Sequence, residues 1–248
     1  MAGFQDRRYR LACGRQELVS FTARVKETDL WIMAERDLSA QAVEAIMSHR
    51  RGLEIYLAQR PQAAVSLTPL EVDPLAPAVM RRMMAAGRAA STGPMAAVAG
   101  ALAEAVARDL MEYSPQVVVE NGGDLYLAAT EDVTVGLHAG DSPLSGRVGL
   151  AVTAEQMPLA VGTSSATVGH SLSLGRADAA TIVAKDAALA DACATALGNR
   201  VSGQSDLAPA MRWAQEIPGV RGALVVLGRH LAAWGDIALV DLQKETAP

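Results

Sequence analysis

In the run DAALADACATAL, Asp191 and Thr195 stand four positions apart. That spacing puts two side chains on one face of a helix. Nearly everything around them is small and apolar. An aspartate buried among alanines is costly without a partner, and a hard cation such as Mg²⁺ takes carboxylate, hydroxyl, carbonyl and water oxygens. Asp191 and Thr195 are therefore candidate metal ligands. The plainer alternative is an exposed acid near a helix N-terminus, where negative charge is favoured. It accounts for Asp186 better than for Asp191.

Two further clusters have the composition of a binding site. Asn121-Gly122-Gly123-Asp124 follows the apolar run Gln116–Glu120. Asn-Gly is a strong hairpin signal, and a hairpin turn alone would account for it. In a binding site, the glycines would let a ligand touch the backbone while Asn121 and Asp124 bond its polar edges. The stretch GTSSATVGHS, residues 162–171, gathers Thr163, Ser164, Ser165, Thr167 and Ser171 around one histidine, His170. A single histidine is usually structural, but one in a loop among hydroxyls suits a ligand-facing role.

These clusters need elements to hold them. Leu18–Val25 and Leu30–Ala34 read as a hairpin, and a helix follows from about Ala40 to Gln59, stopped by Pro61. After a proline-rich link, a second helix spans about Ala76 to Ala89. Proline is favoured in the first helical turn, so a third helix is expected from Pro94 to Met111. Its opening residues, Pro94 and Met95 among them, are mostly small, and its free N–H groups would suit an anion. Tight helix packing is the alternative. Strands are expected at Gln116–Glu120, Leu125–Ala129, Asp132–Leu137, Leu150–Thr153 and Ala179–Ala184. A helix over Asp186–Leu197 and another over Leu207–Gln215 precede strands at Ala223–Leu227, His230–Trp234 and Ile237–Val240. Strands and helices mix without strict alternation, which favours an α+β fold in a single domain over residues 1–248.

Composition narrows the function classes. Half of the 248 residues are hydrophobic and only 4% are aromatic, so helices can approach closely. The net charge of −5 offers no basic face for nucleic acid. The basic groups Arg7-Arg8-Tyr9-Arg10 and Arg50-Arg51 read as solvated surface. Cys13 and Cys193 make no Cys-x-x-Cys or Cys/His cluster, so no zinc site is indicated. The sequence has no GxSxG, P-loop, HExxH or GxGxxG motif. With no signal-like h-region and no span of about 18 apolar residues, the expectation is a cytoplasmic protein without membrane contact. A homodimer is a further expectation, from the abundance of apolar helix surface.

The order of the clusters resembles the ApbE superfamily, the FAD:protein FMN transferases. That family typically shows a G-G-x-A-K-G helix start, an N-x-G-G-D turn, a T-S-G-x-Y loop, an H-I-I-D-P-x-T-G motif and D-A-L-A-T-A-L, and the likeness spans roughly Ser91 to Gly198. The resemblance implies an ApbE-like fold of two β-rich halves around packed helices. It implies Mg²⁺ on Asp191, Thr195 and a main-chain carbonyl near Val98. It further implies FAD against Pro94, Met95, Asn121, Gly122, Gly123, Asp124, Thr163, Ser164, Ser165 and His170. Asp124 or His170 would position or deprotonate a hydroxyl of an acceptor protein, which receives FMN. The family lysine falls on Ala99, the D-P-x-T-G portion is absent after His170, and the T-S-G-x-Y tyrosine is missing. The chain thus resembles a compact branch of the superfamily. A flavin- or nucleotide-binding protein or redox-enzyme subunit without transferase activity is the alternative, and a metal-dependent enzyme on another phosphorylated small molecule is a third.

Overall fold

A computed structural model describes residues 18–166 and 174–245. The first hairpin pairs β1 (Val19–Val25) with β2 (Thr28–Ala34). Helices α1 (Ser39–Gln59), α2 (Gln62–Val65) and α3 (Ala78–Ala90) follow. The α1–α2 break falls at Arg60-Pro61, and Pro77 immediately precedes α3, as a residue lacking an N–H and fixed in φ dictates. Next comes a 3₁₀ turn at Pro94–Ala97, which runs into α4 (Val98–Leu110). The second hairpin is β3 (Val117–Asn121) with β4 (Asp124–Ala128). Then come β5 (Val133–Gly136), β6 (Val148–Val152), β7 (Leu159–Ser164) and β8 (Ala179–Ala184), before α5 (Ala187–Asn199) and α6 (Leu207–Gln215). The chain closes through β9 (Val220–Leu227), β10 (His230–Gly235), β11 (Ala238–Asp241) and α7 (Leu242–Glu245).

Eight strands form one antiparallel sheet in the order β1-β2-β3-β4-β7-β8-β9-β10. The two β-rich halves are thus edge-joined where β4 pairs with β7, with Leu125 opposite Val161. Strand side chains alternate between faces, and the two faces feed two cores. Val117, Val119, Tyr126, Ala160 and Ile182 pack with the helices. Val118, Leu125, Leu127, Leu159 and Val183 pack with Val133, Val135 and Leu150 of a second sheet, ordered β11-β6-β5. The result is a three-layer α+β arrangement of helices, large sheet and small sheet.

The scarcity of large side chains is what lets α5 lie close to both neighbours. A Cβ on Gly162 of β7 would lie 2.7 Å from the backbone nitrogen of Asp191. A Cβ on Gly100 of α4 would collide with the Ala187 carbonyl and sit 2.9 Å from Asp191 Cβ. The three nearest obstacles at Gly162, the Ala190 carbonyl carbon and oxygen and the Asp191 nitrogen, are all backbone, which cannot rotate aside. Gly162→Ala is therefore expected to cost about 3 kcal/mol, the upper part of the range for overpacking. Urea unfolding reads this directly; a variant with the parental midpoint would show that α5 backs away freely.

Candidate functional site

The site lies on the helix face of the sheet, where β4 meets β7 and α4 crosses α5. The proline signal at residue 94 marks the 3₁₀ turn, and regular α-helix begins only at Val98. The unpaired N–H groups of the first α-turn therefore belong to Ala99 and Gly100 rather than to Pro94 and Met95. Asp191 answers them from α5: its Oδ2 accepts from the Gly100 N–H at 2.9 Å, and the Ala99 N–H also donates to its carboxylate. Pro94 is buried and Met95 is half-buried against the helix-side core.

Asp186 behaves as a helix N-cap, accepting from the Leu189 N–H at 2.9 Å. Thr195 is half-buried one turn beyond Asp191 on α5. The β3–β4 turn consists of Gly122 and Gly123, both with positive φ, at 66° and 110°. That is the left-handed region glycine occupies without strain. Asn121 donates from Nδ2 to the Ala99 carbonyl at 3.0 Å, tying the turn to the start of α4. Glu120 Oε1 accepts from the Gly123 N–H at 2.9 Å.

Asp124 opens β4, only 6% exposed, and its neighbour Asp191 is 8% exposed. Asp124 accepts from the Thr163 N–H, but its Oδ1 is buried without a hydrogen-bond partner. Desolvation drives the Asp124 carboxyl well above its usual range, and the negative charges of Asp191 and Glu120 add to that. Desolvation also pushes Asp191 up to about 7, against the lowering effect of the Gly100 and Ala99 N–H groups. Two interacting carboxyls are thus held away from water.

The hydroxyl-rich stretch divides. Thr163 and Ser164 are not loop residues but the last two positions of β7. Strand alternation sends Thr163 to the face opposite Gly162, where its Oγ1 lies 3.1 Å from Thr181 Oγ1. Ser164 shares the helix face, and Ser165, also half-buried, follows the strand end. His170 lies outside the described residues.

The residues present fit a hard dication. A cation beside Asp124 and Asp191 would turn their mutual repulsion into attraction and occupy the partnerless Asp124 oxygen. Among the described residues no group of three or more His, Cys, Asp or Glu side chains is arranged to hold a metal. The remaining ligands would be the Thr195 hydroxyl, the Val98 carbonyl and water, a set that suits Mg²⁺ rather than zinc. A residue not legible as part of this site is Glu104 of α4. It is fully buried and accepts from Arg82, Arg108 and the Ala187 N–H. Its i,i+4 spacing to Arg108 was the available signal.

Comparison with known proteins agrees with this architecture. The family described as AbpE bacteria matches residues 9–219. A UPF0280 protein of Methanocella arvoryzae is 41% identical over 231 residues, covering 90% of this chain and 93% of its own. A UPF0280 protein of Methanocaldococcus jannaschii is 39% identical, covering 86% and 89%. The apo flavinyl transferase ApbE of Pseudomonas stutzeri superposes with a TM-score of 0.51 at 15% identity, over 88% of this chain and 94% of that one. The ApbE protein of Thermotoga maritima gives 0.53 at 14% identity, over 87% and 96%. At such identities the likeness is one of fold. No described helix is long and apolar enough to cross a membrane.

Proposed function

The chain belongs to the family described as AbpE bacteria, within the ApbE superfamily, and from that membership we propose that it binds FAD with Mg²⁺ and transfers FMN to a serine or threonine hydroxyl of an acceptor protein. The observation that carries this reading is the pair of buried, interacting carboxyls, Asp124 and Asp191, of which Asp191 is bonded to the first turn of α4. Asp191 and Thr195 would hold the cation with the Val98 carbonyl. The glycine turn Gly122-Gly123 leaves backbone open to close approach. Asn121, Ser164 and Ser165 supply polar groups beside it, and Pro94 and Met95 an apolar wall. The acceptor oxygen would bond to the flavin-side phosphorus of FAD as the bond to AMP breaks, and a Mg²⁺ held by Asp191 and Thr195 would supply charge neutralisation at the diphosphate. Asp124, beside the cation, or His170 would position or deprotonate the attacking hydroxyl, whose proton passes to solvent. A cytoplasmic setting belongs to the same proposal.

Thermal unfolding with FAD, FMN and ATP, each with and without Mg²⁺, tests the ligand. At a hundredfold excess over Kd a native-state ligand adds about 2.7 kcal/mol, which for a chain of this size raises Tm by roughly 5–10 °C. That rise is expected for FAD only when Mg²⁺ is present. A shift given by ATP and not by flavins would sink the flavin reading. The second reading, a flavin or nucleotide binder without transferase activity, is favoured by Ala99 in the family lysine position and by the sequence after His170. Under it, the FAD shift persists while no acceptor hydroxyl becomes labelled.

A further inference from the structure

Helices α4 and α5 cap each other. From α5, Asp191 reaches the Gly100 N–H in the first turn of α4 at 2.9 Å. From α4, Glu104 Oε2 reaches the Ala187 N–H in the first turn of α5 at 2.8 Å. In each helix the capping acid lies four residues after the capped position, so the two interactions flank one crossing point. Gly100 is that point, because its missing side chain lets the Ala187 carbonyl and Asp191 Cβ close in. The Glu104 carboxylate is itself held from the other side. Its Oε1 accepts from Arg82 Nη2 at 2.6 Å and Arg108 Nε at 2.8 Å, and Arg82 also reaches Asp186 at 2.9 Å. A fully buried acid with two guanidiniums and a helix N–H is fixed in one orientation.

We propose that Glu104, locked by Arg82 and Arg108, is a positioning residue that seats the N-terminus of α5 on α4 and so fixes where the Asp191 carboxylate stands. The Asp191 oxygen bonded to Gly100 is then set by the crossing, and with it the position of the carboxylate that would meet the cation. The metal role of Asp191 rests on the function proposed above; the coupling between the two caps does not. Partners one bond removed from a metal ligand typically change metal affinity by 10–100-fold when altered. Glu104 bonds no atom of Asp191; it acts one step further out, on the Ala187 N–H one turn earlier in the same helix, so the lower end of that range is the expected effect.

The test compares the parent with E104Q, D191N and a stability control, I46V, at a buried position on α1. Glutamine keeps the shape of Glu104 but turns an amide N–H₂ toward a guanidinium or toward the Ala187 N–H. Two readouts are taken on folded protein: Mn²⁺ affinity, measured with the metal alone, and hydrogen exchange of the Gly100 amide. In E104Q, Mn²⁺ affinity is expected to fall at least tenfold and Gly100 exchange to quicken at least tenfold, while I46V leaves both unchanged. In D191N, Mn²⁺ binding is expected to vanish. Unchanged Gly100 exchange in E104Q, or an equal loss in I46V, overturns the positioning role. If the parent binds no Mn²⁺ yet Gly100 exchange quickens in E104Q, the coupling stands and the metal reading of Asp191 fails. If E104Q does not fold, Arg82→Lys is measured in its place by the same two readouts.

Discussion

Asp191→Asn is expected to abolish the Mg²⁺-dependent stabilisation by FAD and to leave the metal-free protein more stable than its parent at pH 8. The two effects have one cause. At pH 8 the Asp191 carboxyl is ionised although burial has pushed it up to about 7 from an ordinary 3.8. Holding it ionised in the fold costs on the order of 4 kcal/mol, at about 1.4 kcal/mol for each pH unit of displacement. Asparagine has the same shape, can still accept from Gly100, and carries no charge to repel Asp124. Its amide N–H₂, buried where a carboxylate oxygen stood, costs about 1–3 kcal/mol without a partner. A net gain of about 2 kcal/mol remains. A cation, however, loses its carboxylate. Urea unfolding in EDTA gives the first effect, and the Tm rise with FAD and Mg²⁺ gives the second. A variant that kept the full FAD–Mg²⁺ shift would remove Asp191 from the metal site. A variant that lost stability in EDTA would show that Asp191 is a structural cap above all else.

Much of the framework was legible because its elements follow local rules. The β3–β4 hairpin announced itself by Asn-Gly, and Ala179–Ala184 by its apolar run. The start of α4 was displaced by four residues, because proline at a first turn does not distinguish a 3₁₀ turn from an α-helix. The hydroxyl stretch misled for a related reason. Thr163 and Ser164 look like turn residues, yet Thr163 is β-branched and finds a cross-strand partner in Thr181, so the strand extends through them. Asp191 was legible as an acid with no business among alanines; its partners at Ala99 and Gly100 were not. That contact joins positions 91 residues apart, and no local pattern encodes a helix crossing. Glu104 was hidden more deeply. In sequence it ends an apolar run, as a surface charge would, and only the convergence of α3, α4 and α5 makes it a buried anchor.

The metal-free protein is expected to lose stability as pH rises from about 4 to about 7, and Mg²⁺ is expected to reverse that slope. Asp124 and Asp191 are both raised in the fold. Between the unfolded value near 3.8 and the folded values, the native state binds more protons than the unfolded chain. Stability therefore falls with rising pH across that window and levels off above it. Carboxylates shifted the other way act elsewhere. Asp73 is lowered chiefly by the Leu75 N–H, and Glu54 by Lys26 and Arg50. Their contribution is present above the ordinary carboxylate range and fades only as the solution becomes more acidic. A comparison of pH 5 with pH 8 thus isolates the raised pair. In EDTA the urea midpoint should be higher at pH 5 than at pH 8. With saturating Mg²⁺ the order should invert, because a dication binds the ionised pair and competes with its protons. Asp124→Asn should flatten both slopes, since the neutral amide removes one titrating group and the repulsion on the other. A midpoint that rose with pH in EDTA would mean that water or a cation from the protein's own side chains already reaches Asp124 Oδ1. The pair would then be a solvated cluster with no need of metal.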